Sequence, residues 1–426
     1  MEIKNIESIT PKCFNALLKE KWRDCNVGRE SGAGEAETVE LPQILSLSTQ
    51  RVEQGVLSQV YRIHLEYKDD SFTGKTCPPS DWLIKLCRTD LNLSWMCQNE
   101  ATFYRTIVPH LYNDGNALPF SVPAFLSGDD KHLILQEILS VETFPLTEGC
   151  PPDKIPLLLE CLVALHGKCW EDSGKLEQLA KDSLILQAGM GQRLHPLQKE
   201  GLFVQSWQDT IDYMEFHPEQ DAETLQFITK FCQKLETIKI RDIDDAVHRH
   251  RVTLIHGDFH ISNFIFPLQK GTGDDLRPYL VDWATSGFAN PMIDLVFFLV
   301  VSTNDQVASD AEILVKEYHR LLLLFEPGLK GRVSHDTLKE WFRYALVCQW
   351  TILVAYDEMC RHIANTEQDE RRREIQLRHF KNVNRRAILA LKSVQDWDIV
   401  WEKIQSASEA EKMEARVYCE TNTLEI

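Results

Sequence analysis

The sequence has no apolar run long enough for a membrane span and no excess of positive charge. Its most apolar windows, Met292 to Val301 (interrupted by Asp294) and Trp350 to Tyr356, fall short of the ~20 residues a helix needs to cross a bilayer. Lys plus Arg number 46 against 64 Asp plus Glu, a formal net charge of −18, so neither extended nucleic-acid binding nor an anionic membrane surface is expected. The twelve cysteines are scattered without a C-x-x-C pair, which leaves no zinc pattern and makes reduced thiols in the cytoplasm the economical reading. Met1 to Ser8 shows no apolar stretch behind its basic residue, so no signal peptide is expected. There is no internal repeat and no low-complexity tract.

What remains is an ordinary globular composition, 43% hydrophobic and 26% charged, in 426 residues. The acidic balance does not exclude a nucleoside triphosphate, because a local lysine and a bound Mg²⁺ decide that contact rather than the global sum. It mildly favours a cationic or neutral small substrate.

Along the chain the character changes twice. Residues 1–43 read as one short helix, Pro11 to Trp22, and a loose segment, Gly28 to Glu37, rich in Gly, Ala and Glu. In 44–138, Val56 to Tyr67 and Asp81 to Cys87 read as strands, Asn92 to Val108 as a helix, and Phe120 to Leu126 and His132 to Glu137 as two more strands. From 139 to 426 the apolar spacing is helical, interrupted by a β segment between Thr253 and Val281; later helices are expected over Asp305 to Phe325, Ser334 to His362 and Glu367 to Val394. The expected fold is α+β, a small antiparallel sheet followed by a large helical region.

The chemistry concentrates in His256-Gly257-Asp258-Phe259-His260-Ile261-Ser262-Asn263, followed by Tyr279-Leu280-Val281-Asp282-Trp283. Phosphoryl transfer from ATP needs a carboxylate at the incoming hydroxyl and oxygen ligands that hold Mg²⁺ on the phosphates. Asp258 and Asn263, five apart, suit the two ends of one tight loop. A hairpin turning at Gly271 to Asp275 would bring Asp282 back beside Asn263. Any one of these residues alone would pass as a turn or cap; the joint spacing is what points to function.

Upstream, Gly55 and Ser58 lie at a turn between strands, where backbone N–H groups can approach phosphate; a plain hairpin fits them equally. Lys85 sits inside the apolar strand Leu83 to Cys87, where its charge needs a partner or a phosphate unless it reaches solvent at the strand end. Glu100, on the following helix, can pair with it.

The pattern H-G-D-x-x-x-x-N with a later strand-end Asp, together with Lys85 and Glu100, resembles the aminoglycoside-phosphotransferase and choline-kinase-like family. Glu100-x-x-x-Tyr104 and Asp294-Leu295-x-x-Phe298-Leu299 are most similar to its ecdysteroid-kinase-like (CHK kinase-like) branch. The specific motifs cover roughly residues 50 to 300. The resemblance implies a bilobal, protein-kinase-like fold with ATP in the cleft, Asp258 as catalytic base, and Asn263 and Asp282 as Mg²⁺ ligands. It further implies Lys85 on the α/β-phosphates with Glu100 as its partner, and Gln136-Glu137-Ile138 as the hinge that reads adenine through backbone groups. Trp283 departs from the branch, which often has Phe there. The protein-kinase signatures H-R-D, D-F-G and A-P-E are absent at the matching places, which argues against a protein substrate.

Other candidates carry two readings each. His256 reads as a brace of the loop, since Asp258 already fills the role of base. Asp294, after Pro291, either braces the catalytic loop or caps its own helix. His260 reads as a solvent-facing loop residue, with contact to phosphate as the other reading, and His166 as packing against the loop, with catalysis as the other. Trp350, Tyr356, Asp357 and Glu358 fall within about two helical turns. They form either a cation-binding acceptor site or simply core. The expectation is a small-molecule kinase acting on a hydroxyl of an amino alcohol, sugar, aminoglycoside-like amine or sterol. The rival reading is an inactive kinase-like module that binds nucleotide or a partner.

Overall fold

The computed structural model of the chain describes residues 6–26, 43–52, 58–68, 78–87, 94–112, 118–170, 202–217, 219–250, 252–268 and 277–406. The nucleotide-loop residue Gly55, the segment 28–37 and the turn 271–275 lie outside the described residues. By internal contacts the described chain forms two units, one taking in 6–143 and 263–286, the other 144–262 and 287–406.

The first unit is built on a five-stranded sheet: β1 Ile44–Arg51, β2 Ser58–Tyr67, β3 Asp81–Cys87, β4 Phe125–Gly128 and β5 His132–Gln136. Their order is β1-β2-β3-β5-β4, and every pairing is antiparallel. Strand alternation decides the faces. Ile63 and Leu65 of β2 and Trp82 and Ile84 of β3 are buried with Phe14, Leu17 and Leu18 of the helix Pro11–Asn26. That helix covers one face of the sheet, so its apolar side belongs to the sheet's core. Lys85, one step from Ile84 and paired with Val60, is thereby directed to the opposite face.

β1 is a strand that the sequence pattern did not disclose, and it pairs with β2 from Ile44↔Tyr67 to Arg51↔Tyr61. The strand expected over Phe120 to Leu126 is shorter, beginning at Phe125; Ser121 instead bridges to Tyr279. The helix after β3 runs Ser94–Thr102, loosens through a π turn at Phe103–Ile107, and ends as Val108–Tyr112. Far along the sequence, the strands Phe264–Pro267 and Tyr279–Leu280 form an antiparallel pair, with Val141–Glu142 on the outer edge.

The second unit is helical. Its 31-residue helix His335–Asn365 starts at Ser334, whose Oγ accepts from the Thr337 N–H at 3.0 Å. It packs against Glu370–Ser393, Met292–Ser302 and Ala311–Phe325. Met292–Ser302 is apolar on nearly every side, as a helix enclosed by others must be, and all but Phe297 of its eleven residues are buried. The span expected to be one helix from Asp305 to Phe325 breaks at Asp310, giving Asp305–Ser309 and Ala311–Phe325. Among the described residues no helix is long and apolar enough to cross a membrane.

Candidate active site

In the first unit three charged side chains meet. Lys85 Nζ donates to Glu100 Oε2 at 3.0 Å and Oε1 at 3.1 Å, and to Asp282 Oδ1 at 3.0 Å. The Lys85 side chain is 24% exposed, Glu100 3% and Asp282 43%, so the cluster is closed behind Glu100 and open at Asp282. Burial works against the Lys85 charge, but the carboxylates of Asp282 and Glu100 outweigh it and hold the ammonium above its ordinary value. Burial pushes the Glu100 carboxyl up to about 7, with Lys85 pulling down and the Asp282 charge pushing further up. One ammonium serves two carboxylates, and the enclosed one bears the cost.

Asp282 is set by its backbone as well as by Lys85. It adopts the left-handed region, φ 66° and ψ 60°, at the end of the strand Tyr279–Leu280. Val281 N–H donates to the Asn263 carbonyl at 3.0 Å, which makes Asn263 and Asp282 neighbours across the strand pair. The helix that carries Glu100 also holds the chain just beyond Asp282. Asn99 Nδ2 donates to the carbonyls of Ala284 and Ser286, both at 2.9 Å, and Trp283 stacks on Phe103 with centroids 3.8 Å apart. Trp283 is fully buried, and its Nε1 donates to the Leu280 carbonyl at 3.1 Å. Asn99 is a residue that the sequence pattern did not single out.

In the second unit the strand Thr253–Ile255, paired with Gly287–Ala289, delivers the loop that begins at His256. Asp294, fully buried, grips this loop by its backbone: Oδ2 accepts from the His256 N–H and Oδ1 from the Gly257 N–H, each at 2.7 Å. Gly257 has φ 80°, which only a residue without Cβ adopts readily. His166 Nε2 lies 3.3 Å from Asp294 Oδ2, and its Nδ1 lies 2.8 Å from the Tyr318 hydroxyl. Burial and the Asp294 charge push the Tyr318 phenol well above its ordinary range, so it remains a donor. The Asp294 side chain thus contacts the backbone of the loop.

Asp258 comes next, its N–H donating to His256 Nδ1 at 3.3 Å, with its side chain 35% exposed. Phe259 is buried edge-on against Phe298, and Ile261 N–H donates to Ser302 Oγ at 3.0 Å. His260 departs from expectation: instead of facing solvent it is 8% exposed, because Phe297 and the loop itself enclose it.

The proposed hinge residues leave the end of β5. The Gln136 N–H donates to the Ala124 carbonyl at 2.8 Å and the Glu137 N–H to the Asp81 carbonyl at 3.0 Å. The Glu137 carboxylate accepts from Arg62 Nε, 2.7 Å from both oxygens, so its side chain anchors β2, and Ile138 is half-buried. Ser58 opens β2 opposite Cys87.

The cation-site reading of the long helix does not hold together. Trp350 is fully buried and belongs to the core, and Asp357 is buried between Arg361 Nε at 2.8 Å and Asn384 Nδ2 at 2.9 Å. Tyr356 and Glu358, to either side of Asp357 around the helix, are exposed. Helical periodicity alone did not say which face would point inward.

Asn263 and Asp282 flank the paired strands and carry oxygen donors, the ligand type that a hard divalent cation takes, with Asp282 open to solvent. Among the described residues no group of three or more His, Cys, Asp or Glu could hold a metal by themselves.

The sequence model of the ecdysteroid kinase-like family matches residues 53–326. The chain belongs to the ecdysteroid kinase-like family. The match contains Lys85, Glu100, Asp258, Asn263, Asp282 and Asp294. No curated protein matches the sequence. Among solved structures, the chain is similar to a Plasmodium vivax ethanolamine kinase, at 11% identity and a TM-score of 0.40, over 90% of this chain and 95% of that one. A choline kinase from Cryptosporidium parvum Iowa II gives 11% identity and a TM-score of 0.39, over 78% and 88%. The choline kinase LicA from Streptococcus pneumoniae gives 15% identity and a TM-score of 0.38, over 89% and 99%.

Proposed function

We propose that this chain is an ATP- and Mg²⁺-dependent phosphotransferase that moves the γ-phosphate onto a hydroxyl of a small molecule. The observation that carries the reading is the Lys85–Asp282 contact at 3.0 Å: it joins residues 197 apart in sequence, both of which chemistry at a phosphate requires. Membership of the kinase-like family supports the same reaction class.

Each residue has a role that its surroundings support. Lys85 remains an ammonium at neutral pH and is the group that neutralises phosphate oxygens. Glu100 holds the Lys85 stem in one direction. Asn263 and Asp282 are the residues that would hold Mg²⁺, which supplies charge neutralisation on the phosphates when bound. Asp258 accepts the acceptor's hydroxyl proton, and an ordinary carboxylate suffices because the transition state is loose and asks little of its base. Asp294, through the amides of His256 and Gly257, fixes where that loop runs. The hinge role of 136–138 and the phosphate contact of Gly55 and Ser58 belong to the same proposal. So do a cytoplasmic location and a small-molecule partner with no nucleic acid.

The test is nucleotide turnover by the purified protein with Mg²⁺ and a panel of amino alcohols, sugars, aminoglycoside-like amines and sterols, read in wild type, Asp258→Ala and Asp282→Ala. Transfer to one acceptor class, lost in both variants, is the expected result. Equal background in all three proteins would favour the inactive nucleotide-binding module instead.

A further inference from the structure

The loop after Gly257 alternates. Phe259 and Ile261 are fully buried, and the residues between and beside them, Asp258, His260 and Ser262, come together as a polar row. His260 stands in the middle of that row. Its Nε2 is 3.3 Å from Asp258 Oδ2 and its Nδ1 is 2.9 Å from Ser262 Oγ.

Resting on the reading of Asp258 as the base, we propose that His260 is a positioning residue: it holds the Asp258 carboxylate through Oδ2, and Ser262 holds His260.

The chemistry of the imidazole sets the direction of this relay. A carboxylate can only accept, so the nitrogen facing it must carry a proton; the other tautomer would set a lone pair against Oδ2. Nε2 is therefore the donor to Asp258. Nδ1 then accepts a hydrogen bond from the Ser262 hydroxyl, and the hydroxyl can rotate to accept instead if the ring is doubly protonated. In either charge state the contact to Asp258 keeps its sense. The ring cannot easily swing away, because it is nearly enclosed and lies 6.1 Å from the Phe297 ring. The consequence falls on Asp258, whose side chain is 35% exposed and meets the ring through Oδ2. Tying one oxygen fixes the direction of the other, which is what a base needs when its acceptor must lie within hydrogen-bond reach.

The experiment measures inorganic phosphate release from Mg²⁺–ATP, alone and with any acceptor found, in wild type and in variants at both positions. His260→Ala is expected to lower kcat about 10- to 100-fold while KM for ATP stays within about threefold, since geometry at the base is lost and nucleotide binding is not. Glutamine presents an amide N–H where Nε2 stood, and asparagine presents one where Nδ1 stood. His260→Gln should therefore recover most of the loss and His260→Asn little of it. Ser262→Ala should cost about threefold alone and nothing further in the His260→Ala background, because it acts only through the ring. Wild-type kcat in His260→Ala, or recovery by asparagine equal to that by glutamine, would overturn the proposal.

A second readout does not depend on turnover. In ¹⁵N-histidine-labelled protein the His260 signal, identified by its loss in His260→Asn, should show a proton on Nε2. A proton on Nδ1 alone would sink the idea even in an active enzyme. If wild type releases no more phosphate than Asp258→Ala, the phosphotransferase reading fails separately, and the tautomer still decides the contact.

Discussion

The groupings around Lys85 and around Asp294 are held in different ways. Around Lys85, side chains hold side chains: one ammonium lies between Glu100 and Asp282, and the grouping is open on the Asp282 side. At the start of the Asp258 loop, a buried carboxylate holds backbone: Asp294 accepts the amide protons of His256 and Gly257. The first arrangement balances charge and changes character with pH. The second is a hydrogen-bonded clamp in a dry environment, where an unpaired group is costly. Damage should accordingly appear as altered titration in one and as lost stability in the other.

The largest effect is expected at the clamp. Asp294→Ala leaves the buried His256 amide and the half-buried Gly257 amide without their acceptor and removes one of the two partners of the buried His166. A loss on the order of 3–5 kcal/mol of folding stability is expected, read by urea denaturation. Asp294→Asn keeps the shape but sets an NH₂ against a donor, so it should recover only part. If Asp294→Ala unfolded at the same urea concentration as wild type, the loop would owe nothing to that side chain.

At the other grouping the signature is a pH profile. Glu100 has its folded-state pKa raised to about 7 from an ordinary 4.5, by burial first and against the pull of Lys85. The folded protein therefore keeps a proton that the unfolded chain releases. That contribution to stability is full below about 4.5 and is lost as pH climbs through about 7. In Glu100→Gln it is absent. Between pH 5 and pH 8 the Tm of the metal-free wild type should fall more steeply than that of Glu100→Gln; parallel curves would show that the proton is not held.

How much of this was legible in the sequence depended on the range of the interaction. The run from His256 to Asn263 and the return to Asp282 could be read because phosphate chemistry restricts residue types at close spacing. Lys85 stood out as a charge inside an apolar strand, and strand alternation then gives its face. Asn99 gave no signal, since its two partners are backbone carbonyls 185 and 187 residues away and any residue type could have supplied them. β1 went unread because most of its side chains are exposed and its definition lies in its backbone pairing with β2. The His260 reading and the cation-site alternative for Trp350 to Glu358 failed for one reason: which face of a loop or helix is covered is decided by distant chain, here Phe297 for the loop.

Smaller effects sharpen the comparison within the Asp282 segment. Asn99→Ala strips two carbonyls of their donor just beyond Asp282. A loss of about 1–3 kcal/mol is expected, together with a higher Mg²⁺ requirement for turnover. An unchanged Mg²⁺ dependence would mean that the helix does not govern where Asp282 points.

Trp283→Phe is the mildest change and separates two contributions to the same anchor. A phenyl ring can keep the stack on Phe103, where the planes are within 9° of parallel. It cannot replace the indole N–H that the Leu280 carbonyl accepts at 3.1 Å, and it is smaller, in a site with no exposure. The carbonyl belongs to the strand that carries the chain into Asp282, so the loss falls on backbone position rather than on charge. About 1–2 kcal/mol of stability should go, by calorimetry, from one unmade bond and a small void. Turnover should stay within about threefold, because Lys85 and the Asn263–Val281 contact still direct Asp282. A collapse of activity with full stability would reverse that order and make the indole, rather than the ammonium, the group that orients the Asp282 carboxylate.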